Sequence, residues 1–369
     1  MNTIFKMSIT SNKTSKESTE IHYSESQEIN EVSDLKTKKM RYLSIDIFRG
    51  LAIVGMIFVN IVAPFNNTPA WSKHAIDYGL TYVDLIAPFF IFAIGLTYKM
   101  SFDRTLEREG YVKTFTRFAR RYGSLAGFGF IGSNHLITSE GIRFTWGVLQ
   151  AIGYAGLFTL FFIFLPRIVR LVVGVGTLVG YQFILNISVE VESVMTTLGD
   201  LNLLDVHGGI IGGIGFAAML LITTAIIDLF NEKKKLPILI SGIAFTAVGI
   251  IIHFIWKAYG FPIYGGISKE RMTPSYVALT IGLSAILFYL IWYLFDKKDI
   301  TNGKSLILQP FGRNALFLYI IHPLFILFAT LYLPQSTHGA LVMFVAGVNV
   351  ALIWLLATWM NRKKVYIVI

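Results

Sequence analysis

The chain has 369 residues, of which 54% are hydrophobic and only 15% charged, with a mean hydropathy of +0.62. A typical soluble domain carries about 25% charged residues, so this composition excludes a soluble enzyme, a disordered chain and a secreted disulfide scaffold. The absence of cysteine excludes disulfides, Cys-ligated zinc, iron–sulfur clusters and thiol catalysis, and the net charge of +10 poses a question that the placement of the charges answers.

Residues 1–40 are rich in Ser, Thr, Glu, Lys and Asn with little apolar periodicity, and predict a disordered cytoplasmic tail. No apolar core follows its charges until residue 47, so it is not read as a signal peptide. Residues 41–369 predict one membrane domain. Crossing the hydrocarbon core takes about 20 mostly apolar residues, and ten stretches qualify: 47–65, 79–98, 119–138, 145–165, 168–187, 207–230, 236–256, 275–295, 306–333 and 338–360. The third is Gly-rich and carries Asn134 and His135. The ninth is long enough to tilt, or to break near Pro310 or Pro323. The expected fold is therefore an all-α, polytopic membrane protein of about ten transmembrane helices.

With the N-terminus inside, 26 of the 32 Lys and Arg residues fall on inward segments and five on outward ones, with Arg313 inside a span. This bias predicts that both termini are cytoplasmic. It also turns the basic excess into a topology marker. Nucleic-acid binding needs a clustered basic face on a soluble module, which is absent from the sequence pattern.

Gly127-Phe-Gly129-Phe-Ile-Gly132 matches the dinucleotide-binding fingerprint, but it sits in an apolar span with no strand before it and is rejected as one. The pairs Gly123/Gly127, Gly176/Gly180, Gly208/Gly212 and Gly209/Gly213 read as small-residue contacts that let helices approach closely.

Polar groups inside a bilayer are costly and mark function by default. Counting along the helices at about 1.5 Å per residue places Asn60, Asp84, Gln150 and His322 in the outer half, with His74 in the first outer loop and His207 opening the sixth span. Their common depth predicts a shared cavity opening outward. A smaller inner group comprises Asp46, Arg49, Arg313 and Asn314. Asp46 and Arg49, three residues apart, read first as a helix-face salt bridge and alternatively as an anion site for a phosphate-bearing donor. Each outer residue has a structural alternative: Asp84 as an ion-pair partner of Lys73 or Arg143, Asn60 and His322 as interhelical hydrogen bonders, His207 as a helix-start residue. His135 and His253 read as interfacial. His74, a loop histidine beside a span with a near-neutral reference pKa, is suited to general-base work.

The run Arg41-Tyr-Leu-Ser-Ile-Asp46-Ile-Phe-Arg49-Gly50, continuing to Val59-Asn60, resembles the opening of the heparan-α-glucosaminide N-acetyltransferase catalytic-domain family. That family is part of a wider transmembrane acyltransferase group with YeiB-like relatives. Lys73-His74, Gly79-Leu80-Thr81, Asp84, Pro88-Phe89 and Gly95 follow its pattern at matching spacing, as does Gly147-Val-Leu-Gln150. Asp205-Val-His207-Gly208 and Gly312-Arg313-Asn314…His322 are fainter echoes. The chain departs from the pattern at Ile76-Asp77-Tyr78, where the family often has a Trp.

The resemblance implies transfer of an acyl group, acetyl by default, from cytoplasmic acetyl-CoA or another acyl-CoA to a glycan or small-molecule acceptor across the membrane. It implies His74 as the catalytic histidine and Asn60 as its partner. Asp84 can orient His74 by triad logic, while Asn60 or a protonated His322 can supply the oxyanion donor. Gln150, His207, His322, Arg49, Arg313 and Asn314 are the expected substrate- and donor-binding residues. Partners are acyl-CoA, the acceptor and membrane lipid, with a homodimer compatible; no metal and no nucleic acid are called for. Expected localisation is a multi-pass plasma-membrane protein. The competing reading is a transporter or flippase for a polar solute or lipid-linked sugar, although no internal repeat between the two halves favours it.

Overall fold

A computed structural model describes residues 42–132, 136–138, 141–143, 146–191, 194–204, 206–232 and 235–366. The expected tail at 1–40 lies outside the described residues, as do Asn134 and His135. Ten longer helices follow in chain order: α1 Leu43–Val62, α2 Ile86–Glu109, α3 Tyr111–Gly132, α4 Val148–Leu160, α5 Arg167–Leu185, α6 Gly209–Asn231, α7 Leu236–Tyr259, α8 Pro274–Trp292, α9 Ala315–Tyr332 and α10 Gly339–Arg362. Two small antiparallel hairpins interrupt them, β1 Leu136–Thr138 with β2 Gly141–Arg143, and β3 Ser188–Val191 with β4 Val194–Thr197.

Each of the ten apolar stretches overlaps one of these helices, and the polytopic all-α architecture holds. Among the described residues, eight helical segments are long and apolar enough to cross a membrane, two fewer than the ten expected stretches. The exceptions have clear causes. α3 carries Lys113, Arg117, Arg120 and Arg121, and it ends at Gly132 where the sequence predicted helix to 138. α4 spans 13 residues, because the expected fourth stretch gives way to turns after Leu160. The ninth stretch does break, but at Asn314 (φ −120°, ψ 30°), between a short turn Leu308–Arg313 and α9. Pro323 is accommodated inside α9.

Burial orders the bundle. The apolar window of the segment entering α6 is 83% buried, against 17–22% for α7, α9 and α10, whose exposed leucines, isoleucines and phenylalanines form an apolar outer surface. α1 packs against α2, α8, α9, α10 and the turn Leu308–Arg313. That last contact depends on two glycines. A Cβ on Gly50 would lie 2.1 Å from the Leu308 carbonyl oxygen, and one on Gly312 would lie 1.8 Å from the Asp46 carbonyl oxygen. The glycine pairs singled out from sequence are mostly different positions. Gly123, Gly127, Gly176 and Gly180 have open space where a Cβ would go and make no close helix contact, whereas Gly212 and Gly213 do pack tightly. The rejected dinucleotide fingerprint runs along α3, as expected of a helical segment.

Candidate active site

The loop from Lys73 to Thr81 has few backbone hydrogen bonds of its own, so side chains determine its shape. Thr81 and Asp84 form a capping box at the start of the 3-10 turn Tyr82–Leu85 that leads into α2. The buried Asp84 Oδ2 accepts from the Thr81 amide at 2.8 Å, the Thr81 hydroxyl at 3.1 Å and the Ala75 amide at 3.3 Å. Its other oxygen lies 2.7 Å from His74 Nδ1. A carboxylate only accepts, so Nδ1 carries the hydrogen and the Nε2 of a neutral His74 is left as a basic nitrogen. The capping residue of the helix and the orienting carboxylate of the imidazole are one side chain. Lys73 is turned elsewhere, donating to the Asn66 carbonyl at 2.7 Å.

A second pair faces this one. Asn60 on α1 and His322 on α9 meet at 3.0 Å through Nδ2 and Nε2. His322 Nδ1 is bonded to the Tyr319 carbonyl and must donate there. Its Nε2 therefore accepts from the Asn60 amide, which retains one N–H for another acceptor. Both ring nitrogens of His322 are thus engaged, one by the Tyr319 carbonyl and one by Asn60.

Asn60, His74 and His207 line one cavity of about 60 Å³, walled on the apolar side by residues including Val83, Phe90 and Tyr319. His207 reaches it from an unusual backbone: φ is 56° there, followed by 72° and 56° at Gly208 and Gly209, before α6 begins. Gln150 is buried just beside the cavity-lining Val148, with its amide seated against Gly129 and Gly147. Of the six residues expected around one cavity, Asn60, His74 and His207 line it; Asp84 and His322 sit one hydrogen bond behind His74 and Asn60, and Gln150 is not part of the lining.

The inner group lies at the other end of α1, about 21 Å along the helix from Asn60. Arg313 faces Asp46 at 3.5 Å and donates to Asn361 Oδ1 at 2.7 Å. Arg49 donates to Thr97 at 3.3 Å. Asn314 is buried at the helix break.

Sequence reasoning passed over one network. Arg271, 5% exposed, forks onto Asp77 with Nε–Oδ1 at 3.0 Å and Nη2–Oδ2 at 3.1 Å. Its Nη1 reaches Asp200 at 2.8 Å and the Gly199 carbonyl at 2.5 Å. Tyr78 stacks on Trp256 at 4.4 Å, and burial pushes its phenol up to about 12 although Arg271 opposes the shift. The only sequence signal was the departure at Ile76-Asp77-Tyr78; its partners are nearly 200 residues away.

Among the described residues, no group of three His, Asp or Glu side chains is arranged to hold a metal ion.

Residues 41–204 match the family model described as "Heparan-alpha-glucosaminide N-acetyltransferase, catalytic".

The resemblance read from the sequence is thereby supported by an independent match over that segment. The human heparan-alpha-glucosaminide N-acetyltransferase is 39% identical over 69 residues, which are 18% of this chain and 10% of the human protein. The chain therefore aligns with about a tenth of that relative's length. Asn60, His74, Asp84 and Gln150 lie inside the matched segment, whereas His207, which lines the cavity, and His322, which contacts Asn60, lie beyond it and are brought there by the fold.

Proposed function

We propose that the protein is a membrane-embedded acyltransferase that moves an acetyl group from acetyl-CoA to an amine or hydroxyl acceptor such as an amino sugar. The observation that supports this best is the pairing of two oriented dyads, His74–Asp84 and Asn60–His322, at one cavity. His74 Nε2 removes the proton as the acceptor nitrogen or oxygen attacks the thioester carbonyl. The remaining Asn60 N–H stabilises the developing oxyanion. As the tetrahedral species collapses, the C–S bond breaks, the acetyl group stays on the acceptor and the thiolate leaves with the proton held by His74. A covalent acetyl-histidine uses the same residues with His74 as the first nucleophile.

The inner cluster around Arg49, Arg313 and Asn314 is the proposed landing site for the phosphates of the donor, at the far end of α1 from the chemistry. Gln150 and His207 are proposed acceptor-side neighbours of the cavity. The Lys and Arg bias supports cytoplasmic termini and donor entry from that side; the plasma membrane is the proposed location. The transport reading accounts for the buried polar groups but not for the acetyltransferase family match.

The test is turnover of acetyl-CoA by purified protein with glucosamine as acceptor. His74→Ala is expected to abolish acetyl transfer while leaving yield and helicity unchanged. Full transfer by that variant would overturn the proposal, and uptake of glucosamine into vesicles without acetyl-CoA would restore the transport reading.

A further inference from the structure

The loop that carries His74 is anchored at two points. On the inner side Asp84 gathers His74, Ala75 and Thr81. On the outer side Asp77, three residues past His74, receives the fork of Arg271 and a hydrogen bond from the Ser268 hydroxyl at 3.0 Å. The Gly79 amide adds a bond to the Ile267 carbonyl at 2.9 Å. Arg271 is itself held rigidly. Its guanidinium lies 4.8 Å from the ring of Tyr264, its free fork takes Asp200, and its carbonyl accepts from the Tyr181 hydroxyl at 2.8 Å. One buried cation thus ties three segments that are far apart in sequence: the His74 loop, the turn after β4 and the loop before α8.

We infer that Arg271 is a positioning residue for acyl transfer, setting the placement of His74 over the cavity through Asp77. The inference rests on the acyl-transfer reading above and adds a residue to it. The physical reason is the shortness of the lever. The loop has one isolated bridge in place of a ladder, so without the Arg271 fork the segment after His74 keeps only weaker tethers, the Ser268 hydroxyl on Asp77 and the Gly79 amide on the Ile267 carbonyl, beside Asp84. A base needs its nitrogen within hydrogen-bond reach of the acceptor proton, and displacement of about 1 Å is enough to cost up to about 100-fold in rate. The requirement is geometric as well as electrostatic: lysine at 271 keeps the charge but cannot fork onto Asp77 while holding Asp200.

The experiment uses full-length protein in nanodiscs, with Asp77→Asn, Arg271→Gln, Arg271→Lys and Asp200→Asn. Two readouts are taken: acetyl-CoA turnover with glucosamine, and the rate at which diethyl pyrocarbonate modifies His74, mapped by mass spectrometry. Asp77→Asn and Arg271→Gln are each expected to lower kcat about 10- to 100-fold with the KM for acetyl-CoA unchanged, and to change the His74 modification rate. Their double variant is expected to be no worse than either alone. Asp200→Asn, which leaves the Asp77 fork in place but weakens one anchor of Arg271, is expected to lower kcat less than Asp77→Asn does, and Arg271→Lys to recover only part of kcat. Wild-type modification rates and kcat in both Asp77→Asn and Arg271→Gln would overturn the inference. So would equal and additive losses in all variants, which would mark general destabilisation. If Arg271→Gln fails to fold, Asp77→Asn carries the test. Turnover that survives His74→Ala would instead sink the acyl-transfer reading, and the modification rates would still report whether Arg271 places the loop.

Discussion

Asp84 Oδ1 and His74 Nδ1 lie 2.7 Å apart, and the same carboxylate caps the turn that starts α2. One side chain therefore sets both the local fold and the tautomer of the proposed base. Replacing it by asparagine places an amide where several donors converge, so either the His74 bond or the Thr81 bonds must be lost. Asp84→Asn is expected to lower acetyl-transfer kcat about 100-fold or more. The unsatisfied buried group should also cost about 1–3 kcal/mol of stability. A variant with unchanged kcat would show that His74 needs no orienter.

The Asn60–His322 contact predicts a non-additive pair. With His322 acting through Asn60, Asn60→Ala should lower kcat about 100-fold, in line with loss of one oxyanion donor. His322→Ala should do less, and adding it to Asn60→Ala should change little more. A double-mutant cycle on kcat measures this coupling; additive effects would assign His322 an independent contact with substrate.

Glycine positions separate by their neighbours. A methyl on Gly312 would collide with the Asp46 carbonyl and one on Gly50 with that of Leu308. Alanine at either should destabilise the protein by about 1–3 kcal/mol, read as a lower Tm in detergent. Gly123→Ala in α3 meets open space and should leave Tm unchanged or raised, worth about 0.5–1 kcal/mol within a helix. A lowered Tm in Gly123→Ala would restore it as a packing glycine.

Acid should loosen the loop network through Asp200. Partial burial works to raise its carboxyl, but hydrogen bonds from Thr197, Arg271 and Tyr264 and the charge of Arg271 hold it below the ordinary 3.8. A depressed folded pKa means that its stabilisation is complete above the unfolded value and is lost as pH falls through the folded one. Wild-type Tm should therefore drop as pH is lowered from about 4, and Asp200→Asn should flatten that part of the dependence. Identical acid profiles in the two proteins would show that Asp200 contributes nothing to it.

The sequence by itself determined the membrane class, the ten helical stretches and the identity of the scarce polar residues. Each of these follows from local composition: a run such as 236–256 is apolar wherever it folds, and a lone Asn60 stands out in such a run. It misplaced what depends on contact. The break at Asn314 occurs where Gly312 lets the Leu308–Arg313 turn seat on α1, and neither neighbouring proline marks it. Gly50 and Gly312 are close-packed because a distant backbone approaches them, which GxxxG spacing does not register.

The candidate site divides along the same line. His74, Asn60 and Asp84 were legible as types at a common depth. Only the tertiary structure showed that both nitrogens of His322 are engaged, one by Tyr319 and one by Asn60, because such contacts join residues that local sequence does not pair. Only it brought Arg271 onto Asp77 across 194 positions. An ion pair of that span leaves no periodicity in the sequence, because its two halves are set by separate loops that meet only when the bundle closes.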